Sequence, residues 1–296
     1  MQMERISDHD FIAALQKDPE AVMMKLPAGV TQEYHIQFSD SDTGFPLKAD
    51  LYYRSKKPAQ ARPAIIFMHD WASGRNPALC GDRQGSFFAL TYDFVFVPLY
   101  YRQPQFAPYP GALKDLKTCA RWLRSIAPDY AIAPDQIAVM GSSAGTQWSF
   151  LAAATNGKKE LDRSGGFRDF SSTINLVLLN SAICDFVKDF ANRDIGQKII
   201  GAPYAEAKAK YHEANPLENV HAGMPPVFMA HGDQDESCPI ASARALADKL
   251  EKCGVTVKLL VQPGRGHGSD GFPEDLHFRL TEMGKFICAH FHLTGK

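Results

Sequence analysis

The sequence predicts an α/β protein in which a mostly parallel, eight-stranded sheet carries helices on both faces. Continuous apolar runs such as AIIFM (64–68) and FVFVPL (94–99) are typical of parallel strands that are covered on both faces. Segments with helical periodicity follow such runs, so strands and helices alternate along the chain. The 296 residues, 45% of them hydrophobic, can bury a large core, and we expect one domain over residues 1–296.

The chain is predicted to begin with a helical extension and an antiparallel hairpin. The extension covers residues 1–30, and its helical pattern at 10–25 is interrupted by Pro19. Residues 33–39 and 47–54 alternate apolar and polar side chains, as half-buried strands do. The turn-forming residues SDSDTGFP between them predict the hairpin.

The remaining elements follow in alternation. The strands at 64–68 and 94–99 are each followed by a loop and a helix, and the clearest helix covers 111–126, with Lys and Arg away from its apolar face. Further strands are predicted at 137–141, 174–180, 226–232 and 256–262, and further helices at 144–154, 241–253 and 274–290. The polar stretch 182–224 is interpreted either as a small helical cap or as an extended crossover helix.

Charge and composition argue against several classes of function. A net charge of −1 provides no basic field for nucleic acid or for an anionic membrane surface. No apolar run approaches the roughly 18 to 20 residues that span a bilayer, and no signal peptide is recognisable, so we expect a cytoplasmic protein. The six cysteines include no C-x-x-C pair, and no metal or cofactor is expected.

The segment GSSAG (141–145) has the G-x-S-x-G pattern of a nucleophile elbow. It follows a predicted buried strand and precedes an apolar helix, and a turn this sharp needs glycine at both flanks. Ser143 is therefore the predicted nucleophile, and Ser142 occupies the variable position. The competing interpretation is a chance occurrence of the pattern.

A serine hydroxyl needs a base to take its proton, and the loop GRGHG after the last predicted strand supplies His267. The segment PVFMAHGDQDESCP offers Asp233, Asp235 and Glu236 after the preceding strand. One of these carboxylates is expected to accept the N–H of the histidine ring. The spacing alone does not choose among the three.

An oxyanion hole needs backbone N–H donors, and Ala144, which follows the nucleophile, is predicted to supply one. The loop after the third strand, MHDWASG, supplies the other, with Trp71 N–H preferred and Asp70 N–H as the alternative. Asp70, Tyr100 and Tyr101 are predicted to lie beside the substrate at the same edge of the sheet. For the aromatic side chains, packing in the core is the alternative.

After about Glu33, the chain resembles the carboxylesterases of the α/β-hydrolase superfamily, and more narrowly the BD-FAE-type feruloyl and acetyl-xylan esterases. The resemblance rests on YYRQPQFAPYPGALKDLKTCARWLR, IAPDQIAVMGSSAGT and PPVFMAHGDQDESCPIASARALADKL. It implies the α/β-hydrolase fold, a Ser-His-Asp triad and no cofactor. HGDQD is similar to the H-G-x-x-D segment of this fold, which favours Asp235. The chain departs from the family's pattern in the loop HDWASG, which lacks the usual glycines, and at Thr146.

We therefore expect a serine esterase that hydrolyses short-chain carboxylic esters, with acetylated or feruloylated carbohydrates as candidate substrates. An arylformamidase or other amide hydrolase with the same triad is the alternative within enzymes. A non-catalytic binding protein on the same fold is the alternative outside them. The expected partner is a small-molecule ester, with no nucleic acid or membrane, and a homodimer is compatible with the sequence.

Overall fold

The computed structural model describes residues 26–70, 77–162, 164–268 and 273–293. Two of the features predicted from the sequence, the helix at 10–25 and the oxyanion donor Trp71, lie outside these residues. Within the described ranges, no helix is long and apolar enough to cross a membrane.

The strands of the described residues form one eight-stranded sheet in the order β1-β2-β4-β3-β5-β6-β7-β8. The strands are β1 (Val30–Asp40), β2 (Pro46–Arg54), β3 (Arg62–Met68), β4 (Val95–Tyr100), β5 (Ile132–Ser142), β6 (Leu176–Asn180), β7 (Val227–Gly232) and β8 (Val257–Gln262). The β1–β2 and β2–β4 pairs are antiparallel, and all other neighbours are parallel. The predicted fold class is confirmed.

Helices occupy the connections from β3 to β8, and one more follows β8. They are α1 (Pro77–Tyr92), α2 (Gly111–Ser125), α3 (Ala127–Tyr130), α4 (Gly145–Ala154), α5 (Lys159–Asp162), α6 (Phe186–Phe190), α7 (Asp194–Ile200), α8 (Tyr204–Glu213), α9 (Ile240–Lys252) and α10 (Pro273–His290), with a 3₁₀ turn at Pro216–Asn219. The helices that the sequence predicts at 111–126, 144–154, 241–253 and 274–290 agree with α2, α4, α9 and α10 to within one residue at each end.

Strand β3 illustrates how the sheet is covered on both faces. All seven of its residues are buried. Because side chains alternate along a strand, Ile66 and Met68 join one apolar cluster with residues of α2 and α4. Ile65 and Phe67 join a second cluster with residues of α1 and α10. Strand β3 is therefore covered on both faces, as the continuous apolar run at 64–68 predicts.

The opening hairpin contains a bulge in its outer strand. The register between β1 and β2 shifts between Glu33 and Ile36, and His35 between them has a positive φ of 53°. The His35 amide leaves the ladder and donates to Asp50 Oδ1 at 2.7 Å. A carboxylate on β2 therefore satisfies the backbone group that the bulge leaves unpaired.

Helix α2 differs from a simple amphipathic helix, because three of its four cations, Lys117, Arg121 and Arg124, are buried. The Lys117 ammonium donates to Asp162 Oδ1 and to the carbonyl of Thr155, each at 3.0 Å. Arg124 donates to the carbonyls of Ser171 and Thr173 at 2.8 and 2.7 Å. Burial lowers the pKa of Lys117, although Asp162 opposes this shift. Periodicity predicts that these side chains lie away from the apolar face, but it cannot show that another segment covers them.

The stretch 182–224 contains α6, α7, α8 and the 3₁₀ turn. It lies at the carboxyl edge of the sheet, where it is bonded to segments that follow β4, β5 and β7. These bonds run from Tyr109 N–H to Ile199 O at 2.7 Å, from Gln147 Nε2 to Ala214 O at 2.7 Å, and from Arg193 Nη1 to Ser237 O at 3.1 Å. Its role as a cap over a substrate stays a prediction.

Candidate active site

Ser143 lies in the tight turn between β5 and α4, with a left-handed φ of 49°. This conformation costs a residue other than glycine about 1 kcal/mol or more. The turn is held by a bond from Ser143 N–H to Asn180 O and one from Thr146 N–H to Ser143 O, each of 3.0 Å. The serine is thus half-buried, on a sharply bent and well-anchored backbone.

Both glycines of the GSSAG pattern are explained by close packing. A Cβ on Gly145 would lie 2.1 Å from the carbonyl oxygen of Met68, and a Cβ on Gly141 would lie 2.6 Å from Thr146 Cα. Neither neighbouring backbone atom can move aside cheaply. The first helical turn of α4 therefore packs directly on the backbone of Met68 and His69 at the end of β3.

His267 lies in the loop that follows β8, within hydrogen-bond distance of the serine. Its Nε2 is 2.7 Å from Ser143 Oγ, although the two residues are 124 positions apart in the chain. The imidazole is 28% exposed, so one part of the ring faces solvent and another is held by protein. The loop after β8 therefore reaches past the ends of β7 and β6 and brings together the two residues that the sequence predicts as nucleophile and base.

Asp235 lies behind His267, and its side chain is fully buried. Its Oδ1 and Oδ2 are 3.0 and 2.9 Å from His267 Nδ1. An ionised carboxylate only accepts hydrogen bonds, so Nδ1 carries the proton and Nε2 is left to accept from Ser143. Asp233 instead accepts from Gly264 N–H at 2.7 Å, and Glu236 is exposed. Among the three candidate carboxylates, Asp235 is the one that contacts the histidine.

The surroundings of Asp235 favour its ionised form. Burial would raise its pKa, but the hydrogen bonds from His267 and from the Cys238 amide hold the pKa below its ordinary value. Two amides of the following turn, Ser237 N–H and Cys238 N–H, donate to Oδ1 at 2.9 and 2.8 Å. A negative charge is therefore available beside the imidazole.

The loop that carries His267 is fixed by residues at the end of β6. Gly268 N–H donates to Ser181 Oγ at 2.9 Å, and Asn180 Nδ2 donates to Gly268 O at 3.2 Å. Arg279 of α10, which is fully buried, donates to the same carbonyl at 3.3 Å. These positioning contacts were missed in the sequence analysis. The polar pair Asn180–Ser181, at the end of an otherwise apolar strand, is the sequence signal that could have indicated them.

Ala144, the predicted first oxyanion donor, is buried at the start of α4. Of the two candidates for the second donor, Asp70 lies at the end of the loop residues that the structure describes, and Trp71 lies beyond them. The backbone just before Asp70 is held by the Tyr101 hydroxyl, which donates to His69 O at 2.7 Å. This contact ties the start of the loop after β3 to the segment after β4.

The two tyrosines that the sequence predicts beside the substrate have different partners. Tyr101 is buried and packs on the His69 ring, with ring centroids 4.8 Å apart. The Tyr100 hydroxyl donates to Asp50 Oδ2 at 2.8 Å, and the Tyr100 ring lies 5.0 Å from that of His35. The hydroxyl of Tyr100 is therefore engaged with the β1–β2 hairpin.

Thr146, which the sequence marks as a departure from the family's elbow, also has a defined position. Its side chain is fully buried, and its hydroxyl donates to the carbonyl oxygen of Ser143. The Thr146 hydroxyl oxygen, Oγ1, also accepts from Ile183 N–H at 3.0 Å. Thr146 thus connects the elbow to the segment after β6, a contact that a glycine could not make. In the described part of the chain, no group of three His, Cys, Asp or Glu side chains could hold a metal ion.

Solved structures similar to this chain share its fold. A structure described as a truncated carbohydrate esterase from gut microbiota has a TM-score of 0.74 at 23% identity, covering 86% of this chain and 96% of that one. A thermophilic esterase of Thermogutta terrifontis, with propionate bound, has a TM-score of 0.73 at 21% identity, covering 91% and 97%. At these identities, the likeness establishes the fold alone.

Curated relatives include two proteins of Mycobacterium tuberculosis. Esterase LipQ is 25% identical over 183 residues, which is 60% of this chain and 43% of LipQ. Esterase LipC is 26% identical over 234 residues, which is 75% of this chain and 56% of LipC. The chain thus spans about half the length of the curated relatives that it matches.

The chain also matches the model of a protein family. The family model named BD-FAE matches residues 49–250, which include β2 through most of α9 and hence the elbow and Asp235. The matched range is more than two thirds of the chain. The chain therefore belongs to the BD-FAE family.

Proposed function

We propose that this protein is a serine esterase that hydrolyses short-chain carboxylic esters through an acyl-enzyme intermediate. The observation that supports this most directly is the hydrogen-bonded series from Ser143 through His267 to Asp235, with contacts of 2.7 and 2.9 Å. Such a series converts a weakly nucleophilic hydroxyl into an effective nucleophile. Membership of the BD-FAE family and the relatives described as esterases support the same reaction.

Acylation begins when Ser143 Oγ attacks the ester carbonyl carbon while His267 Nε2 takes the hydroxyl proton. Asp235 stabilises the resulting imidazolium, and the negative charge on the former carbonyl oxygen faces Ala144 N–H and a donor of the loop after β3. When the tetrahedral intermediate collapses, the bond to the alcohol oxygen breaks. The imidazolium returns its proton to that oxygen, so the alcohol leaves neutral.

Deacylation repeats these steps with water as the nucleophile. His267 takes a proton from water, the hydroxide adds to the acyl carbon, and the bond to Ser143 Oγ breaks. The proton held by the imidazole returns to Ser143, which regenerates the enzyme and releases the carboxylic acid. Each step uses the same pair of ring nitrogens, so both contacts of His267 are needed throughout.

The substrate class is proposed from the comparisons. The Thermogutta terrifontis esterase was solved with propionate and with butyrate bound, which supports a short acyl group. The neighbour described as a carbohydrate esterase, and the BD-FAE family itself, support an acetylated or feruloylated sugar as the alcohol side. We propose simple short-chain esters as the first substrates to test, and acetylated sugars next.

The test compares initial rates for the wild type, Ser143→Ala and the matched control Ser142→Ala. The substrates are p-nitrophenyl acetate, butyrate and octanoate, with N-formylkynurenine as the amide. We expect rapid acetate hydrolysis by the wild type and by Ser142→Ala, and a loss of about 10⁴-fold or more in kcat/KM for Ser143→Ala.

Two results would contradict the proposal. Turnover of N-formylkynurenine alone would identify an amide hydrolase with the same three residues. Equal, negligible rates for wild type and Ser143→Ala on all four substrates would leave a binding role on the same fold.

A further inference from the structure

His231 is a fully buried histidine near the end of β7, four residues before Asp235. Its Nε2 is 2.7 Å from the carbonyl oxygen of Cys238, and its Nδ1 is 3.3 Å from Ala182 N–H. The same Nε2 lies 3.4 Å from Asp235 Oδ2. The imidazole therefore lies between the segment after β6 and the turn that carries the buried carboxylate.

The two partners of His231 define the state of its ring. A carbonyl oxygen accepts only, so Nε2 carries a proton, and an amide N–H donates only, so Nδ1 carries none. Burial lowers the pKa of His231, outweighing the bond to the Cys238 carbonyl and the charge of Asp235, and a charged His267 lowers it further. The ring is thus neutral, with its proton on Nε2. A second proton on Nδ1 would face the Ala182 amide proton.

Cys238 transmits this constraint to the carboxylate. Its carbonyl is held by His231, and its own N–H donates to Asp235 Oδ1 at 2.8 Å. Fixing the carbonyl fixes the orientation of the turn, and hence the direction in which the amides of that turn point. On the other side of the ring, Ala182 directly follows Ser181, whose hydroxyl accepts from Gly268 N–H in the histidine loop.

We propose that His231 is a positioning residue that keeps Asp235 and the His267 loop in a fixed relative position. The carboxylate thereby stays aligned with the imidazole. This inference rests on the proposed esterase reaction. His231 touches neither substrate nor nucleophile in this role, and it acts only through the turn 235–238 and the segment 181–182. The pair Asn180–Ser181 at the end of β6 and the turn 235–238 after β7 are thereby held in a fixed relative position.

Substitutions can separate the two contacts of the ring. His231→Gln places an amide group near the position of Nε2 and can still donate to the Cys238 carbonyl. His231→Asn places one near Nδ1 and can still accept from Ala182, and His231→Phe fills the space without either bond. His221 is a matched control, because its Nε2 donates to Ala154 O at 3.0 Å and its Nδ1 accepts from Gly223 N–H at 3.1 Å, away from the triad.

The first readout is steady-state hydrolysis of p-nitrophenyl acetate across pH. We expect His231→Phe to lower kcat about 10- to 100-fold with little change in KM, because a misplaced catalytic group costs rate rather than binding. His231→Gln should recover much of this loss, and His221→Phe should resemble the wild type. Retention of the wild-type kcat by a folded His231→Phe protein would overturn the inference.

The second readout is the pKa of His267, measured by NMR titration of the imidazole, which does not depend on turnover. A displaced Asp235 stabilises the imidazolium less, so the His267 pKa should fall in His231→Phe and recover in His231→Gln. An unchanged pKa would reduce His231 to a purely structural residue and overturn the proposal.

The two proposals can fail separately. If His231→Phe does not fold, the same comparison is made with His231→Gln and His231→Asn, and wild-type rates with a wild-type His267 pKa in both variants would contradict the inference. If the wild type itself hydrolyses none of the esters, the proposed function fails, and the NMR titration still decides the role of His231.

Discussion

Asp235 and Asp50 are both carboxylates with fully buried side chains, but their surroundings have opposite effects on them. Asp235 accepts two backbone N–H groups and the ring N–H of His267, and its pKa lies below the ordinary value. Asp50 accepts one backbone N–H, from His35, and the hydroxyl of Tyr100. Burial raises its pKa, and these two bonds only partly oppose the rise.

The difference shows that burial by itself does not make a carboxylate a catalytic candidate. A carboxylate beside a histidine can stabilise an imidazolium, whereas one beside a tyrosine and a strand bulge serves to satisfy the backbone of an edge strand. The sequence predicts Tyr100 beside the substrate. In the structure, the Tyr100 hydroxyl donates a hydrogen bond to Asp50. We therefore assign Asp235 to the proposed chemistry. We assign Asp50 to the stability of the β1–β2 hairpin.

The largest expected effect distinguishes the two carboxylates by activity. Asp235→Asn should lower kcat about 10³- to 10⁴-fold, because the amide favours the wrong tautomer of His267. Asp50→Asn replaces a carboxylate by an amide in the same way and should leave kcat unchanged. Asp233→Ala removes only the partner of Gly264 N–H and should also leave kcat unchanged. Initial rates on p-nitrophenyl acetate measure all three. A large loss in Asp50→Asn would remove the distinction between the two sites.

An intermediate effect is expected from the two neighbouring tyrosines. Tyr101→Phe removes the donor to the His69 carbonyl and loosens the oxyanion loop, so kcat should fall about tenfold with KM nearly unchanged. Tyr100→Phe removes the donor to Asp50 and should leave both constants unchanged. Steady-state measurement of kcat and KM for Tyr101→Phe and Tyr100→Phe tests this difference. A raised KM in Tyr100→Phe would restore its predicted place beside the substrate.

The smallest effect concerns stability and its dependence on pH. A carboxyl whose folded pKa is raised loses stabilising free energy as pH rises from its unfolded value of 3.8 through the folded value. Asp50→Asn removes this loss, so its free energy of unfolding relative to wild type should increase as pH rises above 3.8. Asp235, with a lowered pKa, contributes stability above 3.8 that is lost on acidification.

Urea unfolding of the wild type, Asp50→Asn and Asp235→Asn at several pH values measures these slopes. We expect relative stability to increase with pH for Asp50→Asn. For Asp235→Asn it should decrease with pH over the acid range. Parallel curves for the two variants would show that their surroundings do not differ as the contacts indicate.

The sheet and the elbow could be predicted because their signals are local. A continuous apolar run predicts a doubly covered strand, and strands separated by helices predict parallel pairing, which the structure confirms from β3 to β8. The cations of α2 show the limit of such reasoning. Periodicity gives the face of the helix on which Lys117 lies, but its burial depends on Asp162, which is 45 residues away.

By itself, the sequence determined the turn at Ser143, because the glycines that such a sharply bent backbone requires lie within the same five consecutive residues. Only the tertiary structure decided between Asp233 and Asp235, since side chains two residues apart in one turn point to different partners. The same holds for His231, whose role depends on the end of β6, 49 positions away in the chain. A local pattern specifies backbone shape, whereas the partner of a buried polar group is set by segments that meet only when the chain folds.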